Sequence, residues 1–178
     1  MLRIFYTPNK EKEMKKYFVI SDHHFYHKNV IRYEDRPFKD LEHMKKMLIK
    51  NHNSVVTNND VVFFLGDVSF TNKEKTKEII TQMYGHKILI RGNHDTKSRN
   101  WYLDVGFAEV IDYPIIYKGY FILSHEPAYL NDKVPYVNIH GHTHGKSMSE
   151  SYYVNVSVEQ INYTPVDLDD IIEKIKLD

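Results

Sequence analysis

The chain has 178 residues, of which 42% are hydrophobic and 27% are charged, and this length and composition suit one globular domain. A formal net charge of zero argues against a general polyanion binder, and the absence of cysteine excludes disulfides, thiolate zinc sites and cysteine nucleophiles. With no signal-peptide pattern and no apolar run near the roughly 20 residues that cross a bilayer, we expect a single cytoplasmic domain over residues 1–178 without a membrane partner.

Residues 1–16 are interpreted as an N-terminal extension to the pattern that follows. Leu2 to Tyr6 is a candidate strand, either at a sheet edge or in a frayed terminus. Pro8 and the charged run that reaches Lys16 favour a loop.

Three cycles of buried strand, polar loop and helix follow this extension. Short apolar runs rich in β-branched and aromatic residues predict strands at 17–20, 61–65 and 87–90. Besides a short helix near 29–33, we predict helices over 40–53 with Asp40 as N-cap, from Thr71 or Asn72 to Tyr84 with Gly85 as stop, and over 97–105 ended by Gly106. This alternation is typical of βαβ units in a mostly parallel sheet.

The second half of the chain has a different rhythm. A hairpin is predicted from Tyr113 to Ser124 around a Lys118-Gly119 turn, with later strands at 136–139, 152–158 and 163–166. Asp167 opens a final amphipathic helix. The predicted fold class is therefore α/β, a four-layer-like α/β/β/α sandwich with two mixed sheets packed face to face and helices outside.

Five polar stretches each follow one of the predicted strands. They are Asp22-His23-His24, Gly66-Asp67, Gly92-Asn93-His94-Asp95, His125 and Gly141-His142-Thr143-His144. Strand ends converge at one edge of an α/β core, so these side chains are expected to meet there. Strand periodicity places Asp22 and His24 on one side and His23 on the other, which favours His24 as a ligand.

The chemistry of these side chains points to metal. Carboxylate, amide and imidazole ligands without thiolates suit Mn²⁺, Fe or Zn²⁺. Seven such ligands are too many for one tetrahedral ion, whereas two ions that share a bridging carboxylate receive four ligands each. The sequence therefore predicts two divalent or trivalent metal ions as cofactors.

The order D-x-H, G-D, G-N-H-D, H and G-H-x-H resembles the calcineurin-like metallophosphoesterase family. His27-Lys28-Asn29, Arg36-Pro37-Phe38 and the stretch 155–159 also resemble a small single-domain bacterial and phage branch of it. The resemblance implies that Asp22, His24 and His144 bind one metal, that Asn93, His125 and His142 bind the other, and that Asp67 bridges both. It further implies that His94 protonates the leaving oxygen while Asp95 steers its imidazole.

General chemistry is consistent with these roles. Two ions about 3.5–4 Å apart lower the pKa of a bridging water and hold both sides of an in-line displacement. A neutral Asn93 adds a ligand without further negative charge. A carboxylate at Asp95 is expected to raise the pKa of His94, and Gly92 and Gly141 to permit tight backbone turns.

Several other residues have two interpretations each. His23 and His27 are candidates both for substrate contacts and for the scaffold. Arg36 and Arg99 could reach a phosphate, although surface salt bridges are the commoner role of arginine. His140 is interpreted as structural, and Trp101 with Tyr102 as core rather than as a stacking wall for a base.

The predicted function is hydrolysis of a small phosphodiester or phosphomonoester by in-line attack of a metal-bridging hydroxide, with nucleotide-derived esters among the candidates. The alternative is a metal-binding interaction scaffold on the same fold with little catalysis. A metal-dependent nuclease is a third interpretation, against which the neutral net charge counts. The partner is thus expected to be a small phosphate ester rather than nucleic acid, and the oligomeric state is left open.

Overall fold

The computed structural model describes residues 14–177, so the candidate strand from Leu2 to Tyr6 lies outside the described residues. The elements in chain order are β1 (Tyr17–Ile20), α1 (Val30–Tyr33), α2 (Leu41–Val55), β2 (Val61–Phe64), α3 (Lys73–Gln82), β3 (His86–Ile90), α4 (Arg99–Val105), β4 (Glu109–Ile111), β5 (Ile115–Tyr117), β6 (Phe121–Leu123), β7 (Val137–His140), β8 (Tyr153–Asn155), β9 (Val166–Asp167) and α5 (Leu168–Leu177). In this part of the chain, no helix is both long enough and apolar enough to span a membrane.

The first sheet has the strand order β4-β3-β2-β1-β9. Strands β1 to β4 are parallel, and β9 pairs with β1 in the antiparallel sense. All four residues of β2 are buried, as expected for a parallel strand that is covered on both faces. The carboxyl ends of β1, β2 and β3 therefore lie side by side at one edge of the sheet.

The second sheet has the order β5-β6-β7-β8 and is also mixed. The predicted hairpin is present as the antiparallel pair β5 and β6, while β6, β7 and β8 are parallel. Its turn places both Lys118 and Gly119 at positive φ, a conformation that hairpin turns favour. The carboxyl ends of β6 and β7 carry His125 and the stretch 141–144 to the site.

Two hydrophobic cores hold these layers together. One fills the space between the first sheet and helices α1 to α4, and Phe64, Met44 and Ile80 are among its fully buried side chains. The other lies between the sheets, where Val19 and Leu65 meet Leu123. The α/β fold with two mixed sheets packed face to face is thus confirmed.

The two sides of the second sheet are covered differently. Helix α5 contributes Leu168 and Ile171 to the core between the sheets. On the opposite side, the Tyr153 hydroxyl donates to the carbonyl of Ala128, and the amide of Ala128 donates to the Asn138 side chain. A loop segment, rather than a helix, therefore packs on this face in the described part of the chain.

The helix boundaries follow local capping chemistry. The carboxylate of Asp40 accepts from the His43 amide at 2.7 Å at the start of α2, and Asn72 caps α3 in the same way. Gly106 ends α4 with φ +119°.

The prediction that Gly85 stops α3 is wrong, because the helix ends at Gln82 and Gly85 instead makes the turn into β3. Strand β4 was not predicted.

Buried His52 links α2 to the turn before β3. Its Nε2–H donates to the carbonyl of Tyr84 at 2.9 Å, whereas Nδ1 is buried without a hydrogen-bond partner among the described residues. Burial lowers the pKa of His52 to about 4. A second proton has no acceptor there, so the neutral ring is part of the folded state.

This burial predicts a pH dependence of stability. The pKa of His52 in the folded protein lies below its unfolded value of about 6.5. The contribution of neutral His52 to the free energy of unfolding is therefore fully present above pH 6.5 and is lost as the pH drops towards 4. The full loss amounts to about 3 kcal/mol. In urea unfolding of chelator-treated protein, His52→Gln is expected to lose less stability than wild type between pH 7 and pH 4.5. Equal losses would contradict the assignment.

Candidate metal centre

The five polar stretches meet at the edge where the strands of both sheets end. Backbone hydrogen bonds join them directly, because the amide of Asp22 donates to Gly66, that of His24 to Asp67, and that of Gly141 to His125. These bonds lie beyond the regular ladders and fix the loops relative to one another. Side chains separated by more than 100 residues thus share one site.

Five of the seven predicted metal ligands adopt a left-handed backbone conformation, which non-glycine residues rarely adopt. They are Asp22 (φ 60°), His24 (φ 50°), Asp67 (φ 54°), His142 (φ 68°) and His144 (φ 49°). Such outliers cluster at functional sites, where the surrounding structure imposes them. The prediction that Asp22 and His24 face the same side is correct, but left-handed turns rather than a strand pleat produce it.

The first group of candidate ligands surrounds Asp22. Its Oδ1 lies 3.7 Å from His24 Nε2 and 3.9 Å from His144 Nε2. The ligand atoms of these three residues all lie within 4.8 Å of one another. Asp67 Oδ2 is 3.5 Å from His24 Nε2 and completes the group. Such spacing leaves room for one cation between the side chains.

The second group surrounds the side-chain oxygen of Asn93. His125 Nε2 lies 2.9 Å and His142 Nδ1 3.1 Å from this oxygen. The other carboxylate oxygen of Asp67, Oδ1, is 3.6 Å from His125 Nε2. The two oxygens of Asp67 therefore face different groups, which is the arrangement that a bridging carboxylate requires.

Buried polar atoms test whether a cation fits. Asp22 Oδ1 and both ring nitrogens of His24 are buried without a hydrogen-bond partner in residues 14–177. Unpaired buried atoms are costly, and a cation between them would satisfy both the oxygen and a nitrogen. Burial opposes ionisation of Asp22, but His24 and the neighbouring histidines hold the pKa of this carboxyl well below its usual range. The residues present fit a metal.

Further hydrogen bonds orient the candidate ligands. His125 Nδ1–H donates to the carbonyl of Leu65 at 2.7 Å, which leaves Nε2 free to bind. Asp22 Oδ2 accepts from Ser157 Oγ at 3.0 Å and from the His142 amide at 2.8 Å, so only Oδ1 points to the first group. Ser157 was missed as a functional residue, although it lies within the stretch 155–159 on which the resemblance to the small branch rests.

A buried ion pair supports the first group from behind. Glu159 Oε1 accepts from Arg36 at 2.6 Å and lies 3.2 Å from His144 Nδ1. The Arg36 guanidinium also donates to the carbonyls of Asp22 and His23 at 2.8 Å each. Arg36 is 3% exposed, so the expectations of a phosphate contact or a surface salt bridge are both wrong. No role was predicted for Glu159, although the stretch 155–159 that contains it is part of the resemblance.

His94 stands beside both groups and is half-exposed. Its amide donates to Asp67 Oδ1 at 3.0 Å, and its Nε2 lies 4.0 Å from Asp67 Oδ2. The ring is thus directed towards the centre while remaining open to solvent. This placement suits a group that exchanges a proton with a bound substrate.

Asp95 does not steer that imidazole, so the predicted role for it needs correction. Its carboxylate accepts from the backbone amides of Asp67 at 2.7 Å, Gly92 at 2.9 Å and Val68 at 3.2 Å. Burial raises the pKa of Asp95, and the backbone donors oppose that rise. Asp95 therefore fastens the loop after β3 to the loop after β2, and through it the position of Asp67.

The other predicted substrate contacts lie in different places. His23 is fully buried between the rings of Phe25 and Phe64, so it is part of the scaffold and a substrate contact is ruled out by its position. Arg99 donates to the carbonyl of Val110 and thereby joins α4 to β4. Of the four predicted substrate contacts, which also included Arg36, only His27 lies at the rim of the site, where its ring stacks on Phe70 at 4.4 Å.

Gly92 and Gly141 provide space rather than special turns, since neither has a positive φ. A Cβ on Gly92 would overlap the Asp67 carboxylate, and one on Gly141 would overlap Ser21 Oγ and the Asp22 carboxylate. The predicted role in tight backbone turns is therefore not what requires glycine at these positions; the requirement comes from the close approach of the ligand carboxylates to the backbone.

Comparisons with known proteins agree with this centre. The model of the calcineurin-like phosphoesterase family matches residues 15–175. The chain is 40% identical over 175 residues to the uncharacterized protein MJ1445 of Methanocaldococcus jannaschii, covering 92% of this chain and 93% of that protein. The crystal structure of AQ665 from Aquifex aeolicus, a protein of unknown function, superposes with a TM-score of 0.71 at 27% identity, over 90% of this chain and all of that one.

A weaker likeness is found to the nuclease MPE of Pseudomonas putida, with a TM-score of 0.48 and 20% identity over 73% of this chain and 61% of that one. Because the family model spans nearly the whole chain, the protein belongs to the calcineurin-like phosphoesterase family. Membership implies metal-dependent hydrolysis of a phosphate ester, and the structure contains candidate Asp/His metal sites.

The crowding at Gly141 predicts a contrast within one loop. Gly141→Ala pushes a methyl group into Ser21 and Asp22, whereas a Cβ on Gly145 meets none of the described residues within 4 Å. We expect Gly141→Ala to lose about 1–3 kcal/mol of stability and to weaken Mn²⁺ binding. Gly145→Ala is expected to stay within about 0.5 kcal/mol of wild type. Chemical unfolding measures the stability of the two variants, and metal titration measures their affinity for Mn²⁺. Equal stability and equal affinity in the two variants would contradict the overlap at Gly141.

The Arg36–Glu159 pair predicts an effect on metal retention. Glu159→Gln keeps the size of the side chain but removes the charge that holds His144 and Arg36. Loss of such a supporting carboxylate is expected to weaken Mn²⁺ binding by about 10- to 100-fold, measured by competition with a chelator. Glu150→Gln, an exposed change, is the control. Unchanged affinity in folded Glu159→Gln protein would refute the supporting role.

Proposed function

We propose that the protein is a binuclear-metal phosphoesterase that hydrolyses a small phosphodiester or phosphomonoester. The observation that carries this proposal is Asp67, whose two oxygens face two separate groups of ligands 3.5–3.6 Å away. One group alone would support a single structural ion. Two groups that share a carboxylate, with His94 beside them, support hydrolysis of a phosphate ester.

In this proposal Asp22, His24 and His144 would hold one ion, and Asn93, His125 and His142 the other. Asp67 would contact both. Manganese, iron and zinc all match the mixture of oxygen and imidazole donors. When bound, two such ions supply Lewis acidity and lower the pKa of a water nucleophile.

The protein side chains then perform the remaining tasks. The half-exposed His94 would give a proton to the leaving oxygen as the bond from phosphorus to that oxygen breaks. The hydrogen bond from its amide to Asp67 Oδ1 holds the backbone of His94 beside the centre. Asp95 positions both by tying their loops together, as its three backbone hydrogen bonds support.

The proposed substrate is small. The segments between the five polar stretches are used for strands and helices of the sandwich, and the described residues 14–177 include no separate domain above the site. His94 and His142 are both exposed there. A compact ester with an accessible phosphate suits such an open site, and nucleotide-derived esters remain candidates.

Two other functions remain as outcomes of the test. A metal-binding interaction scaffold needs the ligands but no proton donor, so the position of His94 favours the enzyme. A nuclease needs a basic surface for the phosphate backbone, and the net charge of zero gives no general one. The cytoplasmic location stays a prediction from the sequence, from which no oligomeric state was predicted.

The test is hydrolysis of a chromogenic phosphodiester and the matching monoester, after metal removal and again after Mn²⁺ is restored. His94→Asn and Asp67→Asn are each expected to lower metal-dependent turnover about 100-fold or more. His86→Asn is the control, because His86 is exposed at the start of β3, the strand end opposite the site.

Each outcome separates the candidate functions. Turnover that does not depend on His94 would remove it as the proton donor. A protein that binds two ions and hydrolyses neither ester would support the scaffold. Tight, salt-dependent binding of DNA would support the nuclease.

A further inference from the structure

A row of aromatic rings leads from His94 to the solvent. The ring of Phe70 lies 5.0 Å from that of His94 and 5.2 Å from that of His24, on which it stacks at 22°. His27 stacks on Phe70 at 4.4 Å and 17°, and Tyr33 meets His27 edge to face at 6.3 Å. We call Phe70, His27 and Tyr33 the aromatic row.

Phe70 and Tyr33, the two ends of the aromatic row, are exposed, and His27 between them is partly buried. Phe70 is 39% and Tyr33 61% exposed, while the rings of the two cores are buried. The ring of Phe70 is nevertheless held in place, because it stacks on the rings of His24 and His27. Its backbone amide also donates to the carbonyl of Phe25 at 2.8 Å. A fixed, exposed phenyl ring beside a reaction centre has no evident role in stabilising the fold.

The aromatic row lies on the side of the site where the leaving group is expected. His94 is proposed to protonate the leaving oxygen, so the leaving group lies on the His94 side of the phosphorus. Phe70 contacts this same imidazole and continues away from the centre through His27. If His94 is the proton donor, a group attached to the leaving oxygen would extend towards the aromatic row.

We propose that the aromatic row binds a flat aromatic leaving group, and that this group is the base of a nucleoside. Base stacking on aromatic side chains is strong and tolerates any base, because every base has a π face. A nucleoside is a leaving group that carries such a ring a few bonds from its ester oxygen. This inference rests on the proposed function and specifies its substrate class.

The stacking surface differs from the one considered in the sequence analysis. Tyr102 is 3% exposed, and Trp101 packs against the core on α4, so the expectation that these two residues belong to the core is correct. Phe70 received no role from the sequence, since it follows the polar stretch of β2 without any motif of its own.

The experiment compares three methyl phosphodiesters that differ only in the second group: adenosine, phenol or glycerol. If monoesters are preferred, adenosine monophosphate, phenyl phosphate and glycerol phosphate replace them. Phe70→Leu is expected to raise KM for the nucleoside ester about tenfold with little change in kcat, and to leave the glycerol ester unaffected. Phe70→Tyr keeps a stacking ring and is expected to retain the wild-type KM.

Tyr84→Leu is the matched control, because Tyr84 is an exposed aromatic (46%) near the start of β3, away from the site. Equal effects of Phe70→Leu on the nucleoside and glycerol esters would overturn the proposal. An effect confined to the phenyl ester would overturn the assignment to a nucleoside.

Absence of turnover with all of these esters would contradict the proposed function without testing the aromatic row. The esters are then not consumed, and calorimetric titration of Mn²⁺-loaded wild type and Phe70→Leu with the same compounds decides the question. Tighter binding of the nucleoside ester than of the glycerol ester, lost in Phe70→Leu, would support the aromatic row. Equal affinities would overturn it.

Discussion

The site is arranged around the buried carboxylate of Asp67, whose two oxygens face the group around Asp22 and the group around Asn93 where both sheets end. Burying this carboxylate and that of Asp22 next to each other is unfavourable unless positive charge compensates them. The fold supplies imidazoles and backbone amides, but within residues 14–177 Asp22 Oδ1 has no hydrogen-bond partner. A cation removes this deficit, so the same electrostatic problem accounts for the histidines around the site and for its capacity to bind metal.

The loops are organised to hold those groups at short range. Left-handed backbone at Asp22, His24 and Asp67 turns their side chains to one side, at an energetic cost that the neighbouring hydrogen bonds offset. Glycines at 92 and 141 let the chain approach the carboxylates. Asp95 on one side and the Arg36–Glu159 pair on the other fasten these loops to each other, so buried polar contacts hold the centre together in addition to the two sheets.

The relation between motif and geometry differs from residue to residue. The strands before each polar stretch could be predicted because buried parallel strands are short apolar runs, and the convergence of the polar stretches could be predicted because such strands end at one edge. The division of the candidate ligands into two groups came from the resemblance to the family. Asp95 and Arg36 were placed near the centre correctly but given the wrong contacts. The spacing of residues in the sequence indicates that a carboxylate is near an imidazole. It does not indicate whether the carboxylate accepts hydrogen bonds from that imidazole or from backbone amides.

The sequence by itself determined the family, the α/β fold with two sheets and the chemical types of the seven candidate ligands, because hydrophobic periodicity and short motifs are local properties. Only the tertiary structure decided that His23 is enclosed by Phe25 and Phe64, that Glu159 supports His144, and that Phe70 stands beside His94. These contacts join residues whose side-chain directions are set by left-handed turns and by packing between elements, and neither has a periodic signature in the chain.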